Sequence, residues 1–201
     1  MLSIIEAAGW PIWPLILASI VALGIIVERL WSLRGSQIAP PKLLAAVVQE
    51  YKQKGITQEM LSRLSESSLM GRVFAAGLKN MNSSREVVKE SIEEAGRAAA
   101  HELERFLTTL GTIASISPLL GLLGTVIGMV EIFGALTPTG GSPALLAHGI
   151  SVALYNTAMG LIVAIPSMIF FRYFRGKVTT LLVEMEQQAI KLVEIIHGER
   201  K

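Results

Sequence analysis

The sequence contains no cysteine and no aspartate, so all sixteen acidic residues are glutamates. The first absence excludes structural disulfides and thiolate metal sites. Charge is missing from long stretches as well. Residues 107–130 and 150–171 hold no Glu, Lys, Arg or His, and residues 1–27 and 131–149 hold no Lys or Arg. A solute transporter with a charged substrate site therefore has no intramembrane group to use, and no inverted repeat supports that class either. One histidine near the third apolar run, His148, makes no metal site.

What is present is apolar. Of 201 residues, 51% are hydrophobic and 17% are charged, and the mean hydropathy of +0.53 is too high for an ordinary water-soluble domain. The formal charge of +2 and pI near 9.0 do not indicate nucleic-acid binding, because nearly as many glutamates accompany the basic residues. Three runs, residues 10–27, 107–130 and 150–171, reach the ~20 residues that a bilayer core requires. All eighteen Lys and Arg fall in residues 29–105 and 172–201. The positive-inside rule then places the N-terminus and the loop after the second run outside, and the long middle segment and C-terminal tail in the cytoplasm.

The expected fold is an all-α membrane protein with three transmembrane helices, N-out and C-in. A small helical cytoplasmic domain lies between the first two, and spans two and three extend into the cytoplasm as long helices. The expected division is an outer N-terminal segment (1–9), transmembrane helix 1 (10–30), a cytoplasmic helical domain that includes the start of long helix 2 (31–105), transmembrane helix 2 (106–133), a periplasmic loop (134–149), transmembrane helix 3 (150–171) and a cytoplasmic helical tail (172–201). The first run lacks a basic leader and ends in Glu28, Arg29 and Leu30 instead of a small-residue cleavage site, which predicts a permanent anchor. Trp10, Trp13 and Trp31 bracket it as interfacial aromatics, and Arg29 and Arg34 hold its inner end.

Between the first two runs, apolar periodicity predicts short helices over residues 42–54, 58–65 and 68–81, with Gly55 ending the first. Ser83 followed by Glu86 has the pattern of a capping box. No proline follows until Pro118, so one helix is predicted from about residue 84 to 133, a rod of ~75 Å at 1.5 Å per residue. The charged face of its first half reads mainly as a solvated face with i,i+4 pairs, and otherwise as a docking surface. The third helix is predicted to run on to about His197, with Leu181, Leu182, Met185, Ile190, Val193 and Ile196 on an apolar face.

Runs two and three carry small-residue stripes: Ser117, Gly121, Gly124 and Gly128 on one, and Ala153, Thr157, Gly160 and Ala164 on the other. The alternating spacing of 3 and 4 puts each set on one helix face. The stripes fit tight small-xxx-small packing, and they equally fit a hydroxyl-lined pore. Counting inward from the outer ends places Thr125 and Thr157 at nearly the same depth. Asn156 and Tyr155 add polar groups to the third span, where such groups need partners. Glu131 is either a solvated carboxylate at the outer end of span two or a proton-collecting or ion-pairing group at an outer mouth. Pro118 and Pro166 are expected to bend their helices. With no titratable group at mid-span, any proton handled here has to be carried by a group from another subunit.

Three segments then carry a resemblance: the Glu-Arg-Leu after span one, SPLLGLLGTVIGM at residues 117–129, and GISVALYNTAMGLIVAIP at residues 149–166. They are similar to the MotA/TolQ/ExbB proton-channel family, and most to its ExbB and TolQ members; MotA-type stators, with four spans, are less similar. The resemblance covers nearly the whole chain. It implies a homopentamer in a bacterial inner membrane, whose spans two and three line a pore around single-span ExbD-like or TolR-like partner helices. The partner supplies the protonatable aspartate, pore threonines matching Thr125 and Thr157 surround it, and motion passes to a TonB-like or TolA-like protein that spans the periplasm. No cofactor, nucleic acid or enzymatic activity is implied. One departure is Val152, where many ExbB and TolQ members have glutamate. From a different functional class, a non-conducting membrane scaffold with long cytoplasmic helices also fits the residues.

Overall fold

The computed structural model of the chain describes residues 9–134 and 143–197, the side chains of Pro143, Leu145, His148 and Val152 excepted. Residues 1–8 of the expected N-terminal segment, most of the loop between spans two and three, residues 198–201 and the side chains of His148 and Val152 thus lie outside the described residues. Among those described, every regular element is a helix: α1 (Ile12–Ser32), α2 (Gly35–Ile38), α3 (Leu43–Lys54), α4 (Gln58–Ser67), α5 (Leu69–Lys79), α6 (Arg85–Leu103), α7 (Leu107–Gly134) and α8 (Pro143–Ile196). Helices α1, α7 and α8 contain the stretches long and apolar enough to cross a membrane.

The chain forms two compact units, Met1–Glu28 with Phe106–Tyr173 and Arg29–Arg105 with Phe174–Lys201. In the first, Ile12, Leu15, Ala22, Ile25 and Ile26 of α1 are buried, as are Leu110 and Ala114 of α7 and Val163 and Ala164 of α8. Large apolar side chains including Trp13, Leu17, Leu119, Val130, Leu154 and Ile162 are exposed. A helix that is apolar all round buries one stripe internally and leaves the remainder for a hydrocarbon or protein neighbour.

The second unit follows soluble-protein rules. Thr57 caps α4, its hydroxyl accepting from the Met60 N–H at 3.2 Å, and Ser68 caps α5 through the Gly71 N–H at 3.0 Å. Gly55 ends α3 at φ +71°, a conformation that glycine adopts without penalty. Ser84, one residue later than the sequence pattern predicts, caps α6 through the Val87 N–H. The cap sits at Ser84 because that residue is extended while Arg85 begins the helical turn. This places Glu86 at the second helical position, where its own backbone N–H and then the Ser84 hydroxyl hold its carboxyl below the usual carboxylate range.

Along the α8 tail, Phe174, Val178, Leu181, Met185, Ala189 and Leu192 form the buried stripe. Ile190, assigned to the apolar face by its periodicity, is 49% exposed instead. The predicted single rod over residues 84–133 is interrupted: α6 ends at Leu103, and Phe106 adopts φ +62° before α7 begins.

Candidate functional site

The site is built on the contact between α7 and the first half of α8. A Cβ placed on Gly160 would lie 2.6 Å from the Ser117 carbonyl oxygen and 3.1 Å from the Gly121 Cα. One on Gly121 would lie 2.7 Å from the Asn156 carbonyl oxygen and 3.0 Å from the Thr157 Cα. Gly124 faces the Asn156 side chain in the same way, and Gly128 faces Ala153. The order of these pairs defines an antiparallel hairpin in which backbones meet directly, the geometry that small residues permit in an apolar setting.

Hydroxyls in this hairpin are satisfied locally. Ser117 Oγ donates to the Ile113 carbonyl at 2.7 Å, Thr125 Oγ1 to Leu122 at 2.6 Å and Ser167 Oγ to Val163 at 2.7 Å. The Thr157 hydroxyl instead crosses the hairpin and donates to the Gly121 carbonyl at 3.4 Å. Thr157 thus lies level with Gly121, and Thr125 stands about one helical turn, ~6 Å, further along α7. The equal depth expected from counting fails because α7 runs on to Gly134 and α8 begins at Pro143, so the outer ends used for the count are not helix ends.

The expected pathway residues separate into two sets. Ser117, Gly121, Gly124, Ala153, Asn156 and Gly160 are buried between the two helices of a single chain. Within the single chain these residues pack against the facing helix. Ala164 joins them at 5% exposure. Thr125, Gly128 and Thr157 keep partial exposure. Thr125 also borders a shallow apolar groove of about 430 Å³ with Val126, Met129, Val130 and Phe133. Glu131 is exposed near the end of α7, and Pro118 and Pro166 lie inside the unbroken spans of α7 and α8.

Arg29 has a role that its place in the sequence does not reveal. Expected at a membrane interface, it is 5% exposed, and its Nη1 donates to the carbonyl of Leu103, the last residue of α6. Arg34 matches the expectation better, with its guanidinium carbon 5.7 Å from the centroid of the Trp31 ring. The Glu-Arg-Leu motif marked Arg29 as notable, but no periodicity in a continuous apolar helix shows which side of its last turn is enclosed.

Taken together, three apolar helices of membrane-spanning length and a glycine-packed hairpin with no Glu, Lys, Arg or His in residues 107–130 and 150–171 define a multi-span membrane protein. Residues 65–187 match the model of the MotA/TolQ/ExbB proton channel family, and the chain belongs to that family. It is 31% identical over 175 residues to a biopolymer transport protein, ExbB-like 3, of Synechocystis sp., covering 85% of this chain and 82% of that one. It is 33% identical over 170 residues to the biopolymer transport protein exbB1 of Vibrio cholerae, covering 81% and 74%. Against the Tol-Pal system protein TolQ of Pseudomonas aeruginosa it is 30% identical over 200 residues, covering 91% and 87%.

Proposed function

We propose that the chain is an ExbB-like proton-channel subunit of a TonB-type motor in a bacterial inner membrane. Five copies surround the single-span helices of an ExbD-like partner and use the proton motive force to drive outer-membrane import through a TonB-like protein. The N-terminus is periplasmic and the C-terminus cytoplasmic, a reading supported by the distribution of Lys and Arg. The subunit performs no covalent chemistry. The observation that carries this reading is the hairpin itself: Thr125 and Thr157 retain exposure beside a glycine-packed seam, while residues 107–130 and 150–171 contain no group able to take up a proton near neutral pH. In this reading the partner aspartate carries the proton, the two threonines border its path, and Ser117, Gly121, Gly124, Ala153, Asn156 and Gly160 fix the wall on which they stand.

The match to TolQ over 91% of this chain favours a second reading within the same class, a TolQ-like subunit of the Tol-Pal envelope-maintenance motor with TolR-like and TolA-like partners. Complementation of strains lacking either ExbB or TolQ separates the two. The proposal itself is tested by reconstituting the chain with its partner in vesicles and measuring proton flux with the partner aspartate intact or replaced by asparagine. The replacement is expected to abolish the partner-dependent flux. Equal flux in the two preparations identifies a non-conducting scaffold instead.

A further inference from the structure

Residues 101–106, His-Glu-Leu-Glu-Arg-Phe, contain no glycine or proline, and nothing in them stops a helix by composition. A helix nevertheless stops there. Phe106 takes φ +62°, a left-handed conformation that is costly for a bulky side chain. An uninterrupted helix would avoid that cost by letting the Leu107 N–H donate to the Leu103 carbonyl, four residues back. In the structure the same carbonyl accepts from the buried guanidinium of Arg29 at 3.3 Å. A cation at a helix C-terminus is favoured by the partial negative charge of the last carbonyls, and a buried guanidinium requires acceptors of this kind.

We propose that Arg29 is a latch. By donating to the Leu103 carbonyl it stabilises the helix end at that residue, and so favours the break at residues 104–106 over the continuous helix that the local sequence allows. The segment is then a two-state element: latched, with Phe106 left-handed, or released, with α6 and α7 joined through residues 104–106. Arg29 acts through the Leu103 carbonyl and is a positioning residue. The inference does not depend on the proton pathway and stands if the chain proves not to conduct.

The test is local. Arg105–Phe106 is the sole Arg–Phe step in the chain, so carbonyl-13C arginine with 13C,15N-phenylalanine isolates this peptide in solid-state NMR spectra of the full-length protein in lipid bilayers. Left-handed shifts at Phe106 are expected for the wild type, and right-handed helical shifts there overturn the proposal. In Arg29→Gln the signal is expected to move to helical values; a folded variant that keeps the left-handed signal overturns it. The double variant R29Q/F106N, read with labelled asparagine, is expected to regain left-handed shifts because asparagine tolerates that conformation. A merely structural loss on removing Arg29 would not be rescued in this way, so failure of the rescue counts against the latch. Should Arg29→Gln not fold, Arg29→Lys keeps the cation while removing the planar fork. It is expected to show both conformers, and a lone left-handed signal in it overturns the proposal.

Discussion

The hydroxyl of Thr157 donates to the carbonyl of Gly121 across the α7–α8 hairpin at 3.4 Å. Gly121 is also the residue whose missing Cβ lets the Thr157 backbone approach. One position therefore supplies both the space and the acceptor. Replacing Thr157 with Val is expected to lower hairpin stability by about 0.5–1.5 kcal/mol, the usual value of such a bond, and to reduce partner-dependent proton flux.

Thr125 separates stability from transport. Its hydroxyl is satisfied within its own helix by the Leu122 carbonyl, and its side chain is partly exposed. Thr125→Val is expected to change unfolding stability by less than about 0.5 kcal/mol, as for surface substitutions, yet to impair flux in the reconstituted complex. Unchanged flux would remove Thr125 from the pathway and leave the packing of the hairpin untouched.

The glycines are not equivalent. Gly121→Ala and Gly160→Ala each set a methyl against backbone atoms at 2.6–2.7 Å, which only movement of a helix relieves. Each is expected to cost about 1–3 kcal/mol by overpacking, read as a lower denaturation midpoint in detergent. Gly24→Ala, with nothing within 4 Å of the new Cβ, is expected to be neutral or to stabilise by up to about 1 kcal/mol through helix propensity. Equal effects at the three sites would contradict the packing described.

In the second unit Gly71 is the most sensitive glycine. A Cβ there would lie 2.2 Å from the Leu64 carbonyl oxygen and 2.5 Å from Ser67 Oγ, at the junction of α4 and α5. Gly71→Ala is expected to disrupt that junction. Ser68→Ala, which removes only the cap on the Gly71 N–H, should cost about 1 kcal/mol. Thermal unfolding monitored by circular dichroism ranks the two.

The start of α6 carries a pH dependence. The Glu86 carboxyl is held below its usual range by its backbone N–H and by the Ser84 hydroxyl. A lowered native value means that the stabilisation is fully present above the ordinary carboxylate pKa and is lost as pH falls through the native one. Protection factors at Val87 and Val88, which correct for the intrinsic slowing of amide exchange in acid, should therefore fall on acidification in the wild type. This acid-dependent component is expected to vanish in Glu86→Gln and to shift to higher pH in Ser84→Ala.

Much of the helical framework was legible because membrane-length apolar runs, caps and helix-stopping glycines depend on local chemistry. The short helices over residues 42–54 and 58–65 reappear within a residue or two, and Gly55 ends the first as expected. The break at Phe106 was not legible, because no residue near it disfavours a helix and the donor to the Leu103 carbonyl, Arg29, lies 74 positions away. The seam between Gly121 and Gly160 was visible as a stripe. Which stripe members meet each other and which retain exposure depends on the rotation of α8 about its axis, and spacing does not encode that rotation relative to a neighbour. Thr157 thus shared a stripe with Gly160 in sequence, yet the threonine keeps partial exposure and the glycine is buried.

The hydrogen bonds of Thr125, within its own helix, and of Thr157, across the hairpin, have a chemical consequence. Each hydroxyl proton is already committed, one to Leu122 and the other to Gly121. What these side chains offer outward is lone pairs. A carboxylic acid brought beside them finds acceptors for its O–H, whereas its ionised form finds no donor until a hydroxyl breaks its own bond and rotates. Such a surface favours the neutral acid over the carboxylate and raises the affinity of that acid for its proton. A threonine hydroxyl turned outward would offer its proton instead and would reverse that preference.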